Sequence, residues 1–170
     1  TEGSRLENGV VITPTGFQEA YKAYVDGGWN ALQVNREIGG QGLPQLVATP
    51  VFEMWDSANL AFMLCPVLTI AAVECLEQFG TKQQKEKWLP NLVTGEWTAT
   101  MVLTEPNAGS DVGALRTRAK KDGDHYRLSG QKIFTTWGEH DFTDNIIHMV
   151  LARTPDAPPG TRGISLFIVP

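Results

Sequence analysis

The spacing of apolar residues changes once along the chain, near residue 96. Before that point it is helical. In "GFQEAYKAYVDGGW", Phe17, Ala20, Tyr21 and Tyr24 fall on one helix face, because residues three and four apart lie above one another. The following "DGG" (26–28) supplies the stop. "REIGGQGLPQLV" reads as a loop into a new helix, with Pro44 near the first turn, where a missing N–H costs least. An apolar helical region then runs from about Val47 to Phe79. Pro66 should kink or split it, since proline lacks an N–H and its ring clashes with the preceding turn. Gly80 marks the C-cap. Thr81 and Gln84 stand in capping-box register and open a further helix. That helix is predicted to stop or bend at Pro90 and to close at Gly95.

After Gly95 the runs become β-branched and aromatic: "WTATMVLT", "LRTRAKK", "HYRLSGQKIFTTW", "NIIHMVLART" and "ISLFIVP". "KDGD" (121–124) is a hairpin signal. Helices followed by strands predict a segregated α+β fold. Residues 1–96 form part of an N-terminal helical bundle, and residues 97–170 an incomplete antiparallel β-barrel or sandwich-like domain. A chain that starts without Met and stops in mid-strand reads as a piece of something longer.

Composition narrows the function classes. The chain has 170 residues and a formal net charge of −5, without Lys/Arg blocks, so nucleic acid and anionic lipid are not expected partners. The stretch "LAFMLCPVLTIAAV" (60–73) is too short to span a bilayer and is interrupted by Pro66, so a core helix is expected and no membrane span. Cys65 and Cys75 lie ten apart with no His nearby, which suits neither zinc nor a disulfide framework. A reducing compartment and no metal follow.

The chemistry concentrates in "TEPNAGSDVGAL" (104–115), directly after a strand-like run. Gly109 and the small Ala108 leave backbone N–H groups approachable, and Thr104 and Ser110 add hydroxyls. Such a bend is read either as a plain surface loop or as an anion-binding concavity suited to a phosphate. It has neither the Lys of a Walker loop nor a Rossmann glycine pattern. A second stretch, "KIFTTWGEHD" (132–141), ends a strand with Phe134, Thr135 and Thr136. Alternation would put Phe134 and Thr136 on one face. A flat ring beside a short donor suits an aromatic heterocycle, although β-branched filler is the competing reading.

Together, "MVLTEPNAGSDVGALRTRA" and "SGQKIFTTWG" resemble the middle β-domain of the acyl-CoA dehydrogenases, which are flavoproteins. "LEQFGTKQQKEKWLPNLVTGEWTA" resembles the helix and loop leading into it. The resemblance runs from about residue 15 to the end. The tail "GEHDFTDNIIHMVLARTPDAPPGTRGISLFIVP" is most similar to a bacterial branch that includes long-chain and 3-methylmercaptopropionyl-CoA dehydrogenases.

The resemblance implies FAD as cofactor and an acyl-CoA as substrate. It implies that Met101 to Leu103 lie against the flavin ring and that Thr104 bonds its pyrimidine side. Gly109 and Ser110 would approach the ribityl–pyrophosphate, with Ser110 also near the thioester. Phe134, Thr135 and Thr136 would line the other side, Thr136 near N5, the atom that accepts the substrate's β-hydride. The resemblance also implies a glutamate base in a C-terminal helical domain, hence no catalytic base in this chain. It further implies electron-transfer flavoprotein as acceptor, a dimer or tetramer, and a bacterial cytoplasmic setting. An oxidase, a flavin monooxygenase or a non-catalytic assembly member would share the scaffold. The sequence departs from the family where Phe134 replaces a frequent Trp, Met101 a frequent Tyr, and Trp137 a small residue or Asn.

The other candidates read as structural. Glu139-His140-Asp141 is expected to be a solvated turn, although His suits titration near neutrality. His125 and His148 are expected at strand edges or in packing. Glu105, next to Pro106, is expected to order its loop.

Overall fold

The computed structural model describes residues 2–170. A hairpin opens it: β1 (Arg5–Glu7) pairs antiparallel with β2 (Val10–Ile12). Asn8 and Gly9 both take positive φ, 53° and 83°. Asn-Gly favours this two-residue turn, so the signal lay in the sequence, but the helical spacing downstream masked it.

Helix α1 (Phe17–Asp26) buries Tyr21 and Tyr24, and α2 (Gln45–Phe79) starts directly after Pro44. The break in α2 is at Asn59, not at Pro66. Asn59 has φ −159° and ψ 89°, and its Oδ1 accepts the Phe62 N–H at 3.1 Å. Asn59 therefore caps the second segment, as Asn does at helix starts. Pro66 is buried inside that segment, where packing holds the helix through the one lost bond. Helix α2 is long and apolar enough to cross a bilayer, but half of its most apolar stretch is buried within the protein.

Gly80 ends α2 in extended backbone, its N–H on Leu76 O at 2.9 Å. A Cβ there would come within 2.6 Å of that oxygen. Helix α3 (Lys82–Thr94) opens with the expected box: Gln84 N–H donates to Thr81 Oγ1 at 3.2 Å, and Thr81 N–H to Gln84 Oε1 at 2.9 Å. Pro90 does not stop it. Leu89, Leu92 and Val93 are buried along the last turns, and the apolar surface they remove from water offsets the proline's cost.

The chain divides into two compact units, the first running to Ala99 and including Trp137–Ile146. Its core gathers Tyr21, Tyr24, Phe62 and Met63, with Phe17, Phe52, Trp55 and Phe142 packed against them. Phe142 stacks on Tyr21 with centroids 5.0 Å apart. The solvated-turn expectation for Glu139–Asp141 holds only for Glu139, which is exposed. His140 is only 4% exposed. Its Nδ1 accepts the Phe142 N–H at 3.1 Å, so in the neutral ring Nε2 carries the proton and meets Thr98 Oγ1 at 2.8 Å. Asp141 accepts the Thr13 hydroxyl at 2.6 Å. Partners distant in sequence thus withdraw His140, and in part Asp141, from water, while Glu139 stays exposed.

The second unit comprises Thr100–Thr136 and Ile147–Pro170. The strands are β3 (Thr98–Val102), β4 (Arg118–Asp122), β5 (His125–Ser129), β6 (Ile146–Ala152) and β7 (Ser165–Val169). One sheet has the order β3-β6-β7, with β6 antiparallel to β7 in the register Met149↔Ile168 and Leu151↔Leu166. As the middle strand, β6 is covered on both faces, which its nearly unbroken apolar run anticipates. Strands β4 and β5 form the hairpin signalled by "KDGD", with Asp122 opposite His125. Thr100 Oγ1 and His148 Nδ1 lie 2.7 Å apart, while His125 is exposed on its hairpin.

The segregated α+β fold holds, but the β part corrects the barrel expectation: its strands lie in sheets of two and three, and no barrel closes among the described residues. Residues 103–117 and 130–136 contribute no strand. Turns and side-chain bonds hold them instead.

Candidate functional site

Beyond Val102 the chain leaves the sheet and folds into a tight turn. Glu105 N–H donates to Ala108 O at 2.8 Å, and Ala108 N–H returns to Glu105 O at 3.1 Å. Pro106 occupies the second turn position, where its fixed φ costs nothing. Asn107 then reaches forward, its Nδ2 donating to Ala114 O at 2.8 Å. A single 3₁₀ turn, Val112–Ala114, completes the loop.

Glu105 organises everything around it. Its carboxylate is 4% exposed and accepts the N–H groups of Arg116 (2.6 Å) and Thr117 (2.9 Å) and the Lys132 ammonium (2.9 Å). Burial works to raise its pKa, but the hydrogen bonds from Thr117, Arg116 and Lys132 outweigh it and bring the group down to about 2. A carboxylate whose pKa is held so low stays ionised at neutral pH and is a weak acceptor for a substrate proton. Its role is the loop-ordering one expected from its place beside Pro106.

Lys132 also donates to Leu103 O at 2.9 Å, and Ile133 N–H donates to Thr104 O at 2.9 Å. The two stretches singled out in the sequence, 104–115 and 132–141, are therefore joined backbone to backbone where Ile133 meets Thr104. The strand reading of Phe134–Thr136 is corrected. Strand β5 ends at Ser129, Phe134 takes φ +55°, and its ring is 87% exposed. Alternation therefore does not relate Phe134 to Thr136. The chain turns off the sheet because Gly130 lies against Thr117, where a Cβ would meet Thr117 Oγ1 at 2.3 Å, and because Ile133 bonds Thr104.

All eight candidate residues lie in the second unit. Met101 is exposed at the end of β3; Leu103 and Thr104 are half-buried, as is Thr135; Gly109, Ser110 and Thr136 are exposed. Among the described residues, the hydroxyls of Thr104, Ser110, Thr135 and Thr136 have no hydrogen-bond partner. Gly109 is also unexplained by its own chain. Its φ lies outside the left-handed region, and a Cβ would meet only the Thr104 methyl at an ordinary 3.9 Å. Sequence reasoning missed Lys132, although it sits inside the quoted motif. It also missed Asn107, which no spacing rule marks, because its partner is a backbone carbonyl supplied by the fold.

A helical segment followed by small sheets, with such a loop after the first strand of the larger sheet, defines a two-part α+β protein. Residues 12–96 match the family model "Acyl-CoA dehydrogenase, N-terminal domain", and residues 100–170 match "Acyl-CoA dehydrogenase, middle domain". The chain belongs to the acyl-CoA dehydrogenase family. It is 52% identical over its whole length to 3-methylmercaptopropionyl-CoA dehydrogenase of Ruegeria pomeroyi, and spans 29% of that relative. Butyryl-CoA dehydrogenase of Megasphaera elsdenii superposes with a TM-score of 0.77 at 32% identity, covering 89% of this chain and 39% of that one. Glutaryl-CoA dehydrogenase of Mycobacterium smegmatis, solved in complex with FADH2, gives 0.76 at 26% identity, covering 94% and 38%.

Proposed function

We propose that this chain supplies the flavin- and thioester-facing loops of an FAD-dependent acyl-CoA dehydrogenase. The observation that carries the reading is the group of four unpartnered hydroxyls on two segments fixed together at Thr104 and Ile133. These hydroxyls are open to a ligand on a backbone that the buried Glu105–Lys132 pair holds in place. Gly109 fits the same reading, because a Cβ there would fill space the fold itself leaves open.

FAD would accept the hydride that leaves the β-carbon of the thioester. Around it, Met101 and Leu103 would cover the ring's apolar surface, and the Thr104 hydroxyl would donate to its pyrimidine side. Gly109 and Ser110 would admit the ribityl–pyrophosphate and the thioester end. Phe134, Thr135 and Thr136 would close the opposite side, with the Thr136 hydroxyl donating beside N5. The α-proton needs a base, and Glu105 is already committed to three donors. We assign the base to a helical domain beyond these residues, so the 170-residue chain alone should not turn over an acyl-CoA. A domain boundary near residue 96, a dimer or tetramer, electron-transfer flavoprotein as acceptor and a bacterial cytoplasmic setting complete the proposal.

The test is anaerobic titration of the full-length protein with 3-methylmercaptopropionyl-CoA and butyryl-CoA, following flavin absorbance. Bleaching by either thioester is expected. A colourless protein unable to take up FAD, or a yellow one that no acyl-CoA bleaches, overturns the reading.

A further inference from the structure

Arg153 follows β6 and has no place in the reading above, yet it is among the most heavily bonded side chains in the molecule. Its main chain is sewn to the start of β4: its N–H donates to Thr117 O at 2.9 Å, and its carbonyl accepts the Ala119 N–H at 2.8 Å. From there the guanidinium reaches four backbone carbonyls. Nε donates to Leu115 O (3.1 Å), Nη1 to Pro158 O (3.0 Å), and Nη2 to Gly113 O (2.5 Å) and Gly160 O (2.7 Å). Among the described residues no carboxylate pairs with it. Four of its five N–H donors are thus spent on two separate loops.

The loops meet closely around this fork. A Cβ on Gly163 would come within 1.9 Å of Pro158 O and 2.6 Å of Arg153 Nη1, and one on Gly113 would meet Gly160 Cα at 3.5 Å. The 112–115 turn and the 158–163 loop therefore cannot shift independently. The first of them is one residue from the candidate bend, because Ala114 N–H bonds Asp111 O at 3.2 Å and Asp111 follows Ser110.

We propose, resting on the functional reading above, that Arg153 is a positioning residue: by clasping the 112–115 turn to the 158–160 loop it fixes where Gly109 and Ser110 present themselves to the acyl-CoA. The planar fork is essential to this. A Lys ammonium has three donors on one atom and cannot reproduce a planar fork to four separate carbonyls. A side chain that holds a loop without touching the ligand acts through geometry, and a displacement near 1 Å can cost about a hundredfold in rate.

The test is Arg153→Lys in the full-length, flavin-loaded protein, with anaerobic flavin reduction at saturating thioester expressed per bound flavin. A fall of about tenfold or more is expected, together with partial recovery of Arg153→Ala by added methylguanidinium but not by methylammonium. A merely structural role would lower flavin content or the unfolding midpoint and leave the rate per bound flavin unchanged, and that result overturns the proposal. Should the Lys variant fail to fold, Gly160→Ala keeps the arginine but strains its acceptor loop at φ +74°. The same fall supports the assignment, and an unchanged rate removes it. If the wild type is not reduced at all, the functional reading fails separately, and hydrogen exchange at the Ala114 and Leu115 amides still decides the clasp. Faster exchange there in Arg153→Lys, with β6 unchanged, supports it; identical exchange refutes it.

Discussion

Glu105 accepts two backbone N–H groups and the Lys132 ammonium, and its pKa of about 2 makes the site loop sensitive to acid. The folded-state value lies below that of an unfolded glutamate, about 4.3. The stabilisation is therefore complete above that unfolded value and is lost as pH falls through about 2. Its size is roughly 3 kcal/mol at neutral pH. Glu105→Gln should remove most of it, so urea unfolding of the variant should lose the wild type's decline between about pH 5 and pH 2. A variant whose unfolding free energy still tracks the wild type through that window would show that another group governs it. At Thr136 the expectation concerns rate. Thr136→Ala should slow flavin reduction by about tenfold or more while changing acyl-CoA affinity much less, because the place proposed for its hydroxyl, beside N5, is where charge changes. Stopped-flow reduction at several thioester concentrations separates the two, and unchanged kinetics would remove Thr136 from the site.

Elements were legible where local chemistry decided them. The Thr81–Gln84 capping box, the "KDGD" hairpin and the Tyr21–Tyr24 face of α1 each depend on residues within one or two turns, and each is present. The failures came where distant contacts decided. Pro66 and Pro90 are tolerated because burial on their helices outweighs a lost bond, while the exposed-looking Asn59 carries the break. The 130–136 stretch has strand composition but is pulled off the sheet by Thr104 and by a left-handed Phe134. The site was legible as residue types and as two motifs, but not in its wiring: Lys132 and Arg153 bond carbonyls that only the fold brings within reach. The cap at Asn59 can be tested directly. Asn59→Ala should cost about 1 kcal/mol of unfolding free energy, the usual value of a lost N-cap, read by chemical denaturation. A neutral result would mean that packing alone sets the bend.

For the whole molecule, the chain is a family member that spans 29% of its R. pomeroyi relative. Its two compact units differ in what they offer: the first has an aromatic core, the second the open loops. Ligand binding should therefore appear as a stability increment. FAD at about a hundred times its Kd should stabilise the full-length protein by about 2.7 kcal/mol if it binds only the folded state. Thermal midpoints that do not respond to FAD would argue against the proposed cofactor.

Gly109 carries a practical warning for anyone sorting variants of this protein by how well they express. Adding one methyl there meets nothing closer than 3.9 Å and demands no unusual backbone angle. Alanine should thus be harmless to folding, or even raise the melting point slightly through a less floppy denatured chain. With the flavin placed as proposed, such a clone would pass every solubility screen and yet emerge pale, the added methyl standing in the space assigned to the ligand.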